Sequence, residues 1–226
     1  MLDLYTDATP NGLKISICLE ELELPYKVHQ VFLGGEQKSP EFTALNPNQK
    51  IPVLVDDGFV ISESGAILIY VAEKTGKLLP DDLKRRATVI EMVMFQMASL
   101  GPMFGQLLVF AGAWKNEFPK VTARYLTEVN RILSVLDTRL RDRQYMAGDE
   151  FTIADIAMAP WIRAALNHPI GSQLEIGDKQ NLNAWWGRVA ARPAVEKGFS
   201  IPTPFSPEKQ LEGFVRATVG LGDLHR

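Results

Sequence analysis

The chain has 226 residues, 46% hydrophobic and 23% charged, enough apolar material for one large or two ordinary globular domains. A net charge of −3 and a pI near 5.7 argue against an electrostatic hold on nucleic acid or an anionic membrane. A single cysteine cannot close an internal disulfide, and His29, His168 and His225 are too scattered for a metal cluster, so a cytoplasmic protein without a metal is expected.

No basic flank precedes an apolar run at the N-terminus, so no secretion signal is expected. Residues 2–6 suit a first strand. Thr6 to Gly12 reads as a loop, after which Ile15, Cys18, Leu19 and Leu22 fall on one helix face. Tyr26 to Val31 suits a second strand, Gly34-Gly35 a turn, and Pro40 to Leu45 a short helix or turn. Val53 to Val55 and Phe59 to Ile61 flank Asp56-Asp57-Gly58, a hairpin signal, and Pro52 belongs at the start of that first arm because it cannot donate to a ladder. Ser62-Glu63-Ser64 then opens a helix with Ala66, Ile69 and Tyr70 in register. This βαβ-ββα order predicts a thioredoxin-like α/β domain over residues 1–78.

Leu79 to Asp82 reads as a linker, and from residue 86 to 200 the periodicity is helical throughout, predicting an all-α domain. The apolar stretch 89–114 is interrupted by Glu91, Gln96, Gly101-Pro102 and Gln106, so it reads as a core helix that is kinked or broken at Gly101-Pro102. Tyr125, Val129, Ile132, Leu133, Leu136 and Leu140 form a clean stripe. Thr152 and Asp155 have nearly capping-box spacing ahead of an apolar helix that reaches about Leu166 and meets Pro160. Leu182, Trp185, Trp186 and Val189 make a last amphipathic helix. Residues 201–226, with Pro202, Pro204 and Pro207, are expected to form an extended tail, docked or mobile.

Chemistry is expected at the loop before the first helix. A helix N-terminus leaves N–H groups unpaired and favours an anion. A thioredoxin-type redox site needs Cys-x-x-Cys there; this chain has Thr9-Pro10-Asn11-Gly12, so a working thiol must arrive with a ligand. Thr9 offers a hydroxyl, Asn11 an amide N–H, and Gly12 room for close backbone approach, although the same tetrapeptide is also an ordinary helix entry. Tyr5 is the alternative donor, and its phenol could equally just pack.

Asn-Pro-Asn-Gln-Lys-Ile-Pro-Val-Leu at 46–54, followed by Glu-Ser-Gly-Ala-Ile at 63–67, resembles the glutathione-binding half of the glutathione transferases. Thr-Pro-Asn-Gly at 9–12, Leu-Gly-Gly with nearby Gln37, and Leu-Gly-Pro-Met-Phe-Gly-Gln at 100–106 are similar to the Nu-class branch, related to the fungal prion-forming nitrogen regulators. The resemblance implies a cis Pro52 and a glutathione thiolate held by Thr9 and Asn11. It implies peptide contacts from Gln37, the Ile51 backbone, Glu63, Ser64 and Arg131, with Lys50 able to meet a glycyl carboxylate. It also implies a homodimer that takes glutathione or its disulfide as co-substrate and reduces small-molecule or peptide disulfides, with conjugation to electrophiles or non-catalytic binding as the alternatives. Arg131 also has a bland reading, a surface pair with Glu128.

Overall fold

The computed structural model describes residues 1–112, 114 and 117–219. Strands β1 (Leu2–Thr6), β2 (Tyr26–Gln30), β3 (Val53–Asp56) and β4 (Phe59–Ser62) form one sheet in the order β2-β1-β3-β4. β1 runs parallel to β2 and antiparallel to β3, and β3 antiparallel to β4. The β3–β4 turn places Asp57 at φ 46° and Gly58 at φ 90°, the left-handed pair that a two-residue hairpin needs. Helices α1 (Pro10–Glu21), α2 (Pro40–Leu45) and α3 (Ser64–Thr75) complete the α/β part, a thioredoxin-like arrangement.

Helix α1 is buried continuously from Gly12 to Leu19, not along one stripe. It packs on α3 on one side and on helices of the second half on the other, so a second layer covers the face left open by its periodicity. These helices are α4 (Leu83–Phe95), α5 (Gly101–Ala111), α6 (Pro119–Arg139), α7 (Ile153–Asn167), α8 (Gln180–Ala190) and α9 (Pro193–Gly198). One hydrophobic cluster runs from Leu4 and Ile17 through Val93, Phe104, Leu133 and Ile156 to Trp185, and a second, smaller one joins Val31, Phe42 and Val53.

Of the kink or break expected at Gly101-Pro102, the break does not occur: the chain passes it by a wide helical turn. Leu83–Ala111 is one long helical run, long and apolar enough by itself to cross a membrane, with a π-helical segment at Gln96–Leu100. Pro102 cannot donate to the preceding turn, and the wider turn absorbs that missing bond without stopping the helix. Val89, Val93, Leu100, Phe104 and Leu107 along this run are buried in the core. Helix α7 likewise continues through Pro160.

The tail is a second correction. Its prolines do keep residues 201–206 out of helix, but α10 (Pro207–Val219) follows. Pro207 occupies the first helical position, where a missing N–H costs nothing, and Ser206 Oγ accepts from the Lys209 N–H at 3.4 Å. The segment is docked: the Phe32 and Phe205 rings meet at 5.3 Å, and an Arg216 guanidinium N–H donates to the Gly34 carbonyl at 3.2 Å. Residues 220–226, including His225, lie outside the described residues, as does part of the stretch 89–114.

Candidate active site at two helix starts

Helices α1 and α3 open towards the same cleft. Its volume is about 160 Å³, and its walls are Asn11, Asn46, Lys50, Ile51, Pro52, Glu63 and Ser64. The two starts are finished differently. Thr9 caps α1 by accepting from the Gly12 N–H through Oγ1 at 3.3 Å. At α3 the capping position is Glu63, which makes no side-chain cap and is held at φ 69°. A non-glycine residue in that region costs about 1–3 kcal/mol, and its surroundings must hold it there. The consequence is a helix N-terminus presented to the cleft with an electrostatic preference for an anion.

The rest of the wall is shaped by Asn46. Its Nδ2 donates to the Lys50 carbonyl at 2.7 Å and its Oδ1 accepts from the Asn48 N–H at 3.0 Å, folding the loop so that Lys50, Ile51 and Pro52 face the cleft. The Ile51–Pro52 peptide is cis, and β3 starts directly after it.

Beneath the cleft lies a buried polar group of which the chain pattern gave little warning. Lys14 has no solvent exposure. Its Nζ donates to Asn11 Oδ1 at 2.8 Å, to Gln96 Oε1 at 2.5 Å and to Ser64 Oγ at 3.2 Å, and lies 3.8 Å from Met97 Sδ. Burial pulls its ammonium down to about 7, against the opposing charge of Glu63. The Trp161 indole N–H donates to the same Asn11 oxygen at 3.2 Å. The available signal was a lysine one helical turn before Cys18, on the buried face, but a lone lysine in a helix usually belongs to solvent.

Of the residues expected at a site, Asn11, Lys50, Ile51, Pro52, Glu63 and Ser64 come together, with Thr9 adjacent at the α1 cap. Gln37 and Arg131 are engaged elsewhere. Gln37 is buried, donating to the Leu33 carbonyl at 2.8 Å and accepting from the Gly35 N–H at 3.0 Å, so it ties its own loop. Arg131 forms the surface pair with Glu128, at 3.0 and 2.7 Å. Tyr5 is not on the cleft wall; it stacks on His29 with ring centroids 4.4 Å apart. Gly12 does permit a close approach, but to its own chain: a Cβ there would sit 2.2 Å from the Asp7 carbonyl oxygen. Cys18 is fully buried in the core, and burial pushes its thiol up, away from the thiolate. Among the described residues no cluster of His, Cys, Asp or Glu could hold a metal.

A four-stranded thioredoxin-like sheet with a cis-proline beside a polar cleft, joined to an all-helical second half, defines the class of fold. Residues 8–74 match the glutathione S-transferase N-terminal domain and residues 97–193 the C-terminal domain. The chain is 40% identical over 202 residues to the disulfide-bond oxidoreductase YfcG of Escherichia coli, covering 86% of this chain and 92% of that protein. It superposes with a TM-score of 0.84 and 45% identity on a Burkholderia graminis glutathione transferase with two glutathione molecules bound per subunit, covering 89% and 88% of the two chains. For a Pseudomonas putida glutathione transferase with one glutathione disulfide bound per subunit the TM-score is 0.86 and the identity 40%, over 89% and 91%. The chain therefore belongs to the glutathione S-transferase family.

Proposed function

We propose that this protein reduces disulfide bonds with glutathione, using the peptide's own sulfur as nucleophile. The observation that carries the reading is chemical: the cleft collects an amide donor and two helix starts but no thiol, and the chain's single cysteine is sealed in the core. The name of the YfcG relative and the glutathione species in the two similar structures support it.

In this reading Glu63 pairs with the glutathione ammonium, while Ser64 and the uncapped start of α3 receive its α-carboxylate. The Ile51 backbone before cis-Pro52 meets the cysteinyl unit, and Lys50 the glycyl carboxylate. Thr9 and Asn11 donate to the sulfur at the start of α1. A free thiol near pKa 8.5 is only a few per cent ionised at neutral pH, and each tenfold gain in thiolate requires about 1.4 kcal/mol of such stabilisation. Gln37 and Arg131 enter as outer contacts, each leaving its present partner to reach the peptide.

The reaction then balances without any further reductant. One glutathione thiolate attacks a disulfide sulfur; a mixed disulfide forms and one substrate thiolate leaves and takes up a proton. A second glutathione thiolate attacks the glutathione sulfur of the mixed disulfide, giving glutathione disulfide and the second substrate thiol. Two glutathiones supply the two electrons. We also infer a cytoplasmic protein and a homodimer; the exposed apolar side chains of Phe59, Leu83 and Met94 on the α/β edge and on α4 support the dimer.

Turnover of glutathione with bis(hydroxyethyl) disulfide tests the reading, beside conjugation to a chlorodinitrobenzene and binding by calorimetry. Disulfide turnover well above conjugation is the expected result. Conjugation dominating the disulfide reaction would favour a transferase proper, and binding without turnover a glutathione-binding regulator.

A further inference from the structure

The amide of Asn11 can face the cleft with either end. Its two ends are nearly equal in shape and opposite in chemistry, because N–H attracts a thiolate and C=O repels it. Which end faces the sulfur is decided from behind. The Trp161 indole nitrogen can only donate, and it points at Asn11 Oδ1 from 3.2 Å. Lys14 Nζ donates to the same oxygen at 2.8 Å. With its oxygen held by two donors, Asn11 has only Nδ2 left for the cleft, and no described residue takes those hydrogens.

We propose that Lys14 is a positioning residue for the reaction: with Trp161 and Gln96 it forms a clamp across the two domains that fixes the Asn11 amide with its N–H groups towards the ligand sulfur. The inference rests on the glutathione reading of the cleft. It gives a reason for three otherwise unexplained features. The first is the lysine itself. Burying a charge-bearing side chain is costly, and an apolar residue of equal length would fill the space at less cost. What only a donor supplies is the second hydrogen bond to Asn11. The second feature is the π-helical turn. Gln96 is its first residue, fully buried, and its Oε1 reaches Lys14 at 2.5 Å. The Nε2 of Gln96 finds no partner, so the side chain is there for its oxygen. The third is Gly101, where a Cβ would stand 2.8 Å from that Nε2 and push the amide out of place.

The clamp also couples the two domains. Asn11, Lys14 and Ser64 belong to the α/β half, whereas Gln96 and Trp161 belong to the helical half. The polarity of the sulfur-binding donor in one domain is thus set by the other.

The test is the ionisation of glutathione bound to the folded protein, followed by ultraviolet thiolate absorbance against pH, with binding measured in parallel. Lys14→Met removes the donor and keeps the length. The expected result is a rise in the pKa of the bound thiol corresponding to about tenfold less thiolate at neutral pH, and a drop in kcat larger than any change in KM. Asn11→Ala added to Lys14→Met then changes the bound thiol little further, because the two act as one unit. Asn11→Asp, which turns an oxygen to the sulfur, depresses the thiolate more than Asn11→Ala does. Should Lys14→Met not fold, Trp161→Phe removes one N–H from the same oxygen and is expected to shift the bound thiol in the same direction. A folded Lys14→Met or Trp161→Phe protein whose bound thiol ionises as in the wild type overturns the inference, even if its stability has fallen. So does full additivity with Asn11→Ala. A wild-type protein that binds glutathione without lowering the thiol pKa is a different failure: it removes the functional reading, and the clamp with it.

Discussion

Two buried charge-bearing side chains, Asp155 and Lys14, show what separates a structural polar group from a functional one. Both have no solvent exposure. Asp155 accepts from the Met146 N–H at 2.9 Å, the Thr152 N–H at 2.9 Å, the Thr152 hydroxyl at 3.2 Å and the Trp185 indole N–H at 2.8 Å. Every one of those donors lies in the helical half, and the contacts close the capping box of α7 and pin it to α8. Lys14 is satisfied by side chains of two different halves, and two of its acceptors, Asn11 and Ser64, form the cleft wall. A buried charge surrounded by backbone and core donors fixes a fold. One surrounded by the outward-facing residues of a cleft fixes the way that cleft meets a ligand.

The contrast breaks first at Asp155. Asp155→Ala leaves four buried donors without this acceptor and should cost roughly 3–5 kcal/mol of stability in urea unfolding. The folded remainder should bind glutathione with its thiol ionising as in the wild type. A large change in that ionisation would mean that the two networks are coupled.

Asn11→Ala should do the reverse. Loss of a charge-assisted hydrogen bond to the sulfur is worth roughly 1–3 kcal/mol, a fall of about 5- to 150-fold in kcat/KM for disulfide reduction. Stability should fall less than for Asp155→Ala, read from the urea midpoint of the same samples, because only the Trp161 N–H and one Lys14 hydrogen lose their acceptor while Lys14 keeps Ser64 and Gln96. Ser64→Ala removes a hydroxyl at the start of α3 and should weaken glutathione binding by about 1–2 kcal/mol in calorimetry.

Lys14 also makes a prediction in pH, and it falls in the neutral to alkaline range. Its folded ammonium lies at about 7, below the ordinary lysine value of 10.5. Below pH 7 both the folded and the unfolded chain hold the proton, and the cost of burying it is constant. Between about pH 7 and 10.5 the unfolded chain holds the proton and the folded chain has released it, so stability from this group rises with pH in that window. The slope cannot exceed about 1.4 kcal/mol per pH unit. Lys14→Met should flatten the rise in unfolding free energy measured from pH 7 to 9. An unaltered rise would assign it to other groups.

How far the chain could be read from its residues follows the same division. The sheet was legible because β1 alternates loosely and β3 and β4 are short apolar runs about an Asp-Gly turn, and the linker because periodicity changes after Leu79. Glu63, Ser64, Lys50 and Pro52 were legible because they sit in one contiguous motif. Lys14, Gln96 and Trp161 were not, because they meet across separations of 82 residues between Lys14 and Gln96 and 150 between Asn11 and Trp161. No local pattern encodes that meeting. Helix α10 was missed for another reason: three prolines in a row of six positions read as extended chain, yet the last of them, Pro207, starts a helix as well as it ends one.

The smallest expected effect concerns Cys18, and it is the sharpest test of whose sulfur reacts. The thiol lies in the middle of α1, fully buried among core side chains, and burial together with the charge of Glu21 favours its protonated form. A reactive cysteine needs the opposite, an exposed electropositive setting. Cys18→Ala should therefore keep disulfide turnover within about twofold of wild type, at a stability cost of about 1 kcal/mol for the sulfur removed from the core. In the intact protein a thiol reagent should label Cys18 only at the rate at which the core opens, and glutathione should not protect it. Loss of turnover in a folded Cys18→Ala protein, with Asn11→Ala still active, would place the nucleophile in the protein and reverse the roles of these two positions on α1.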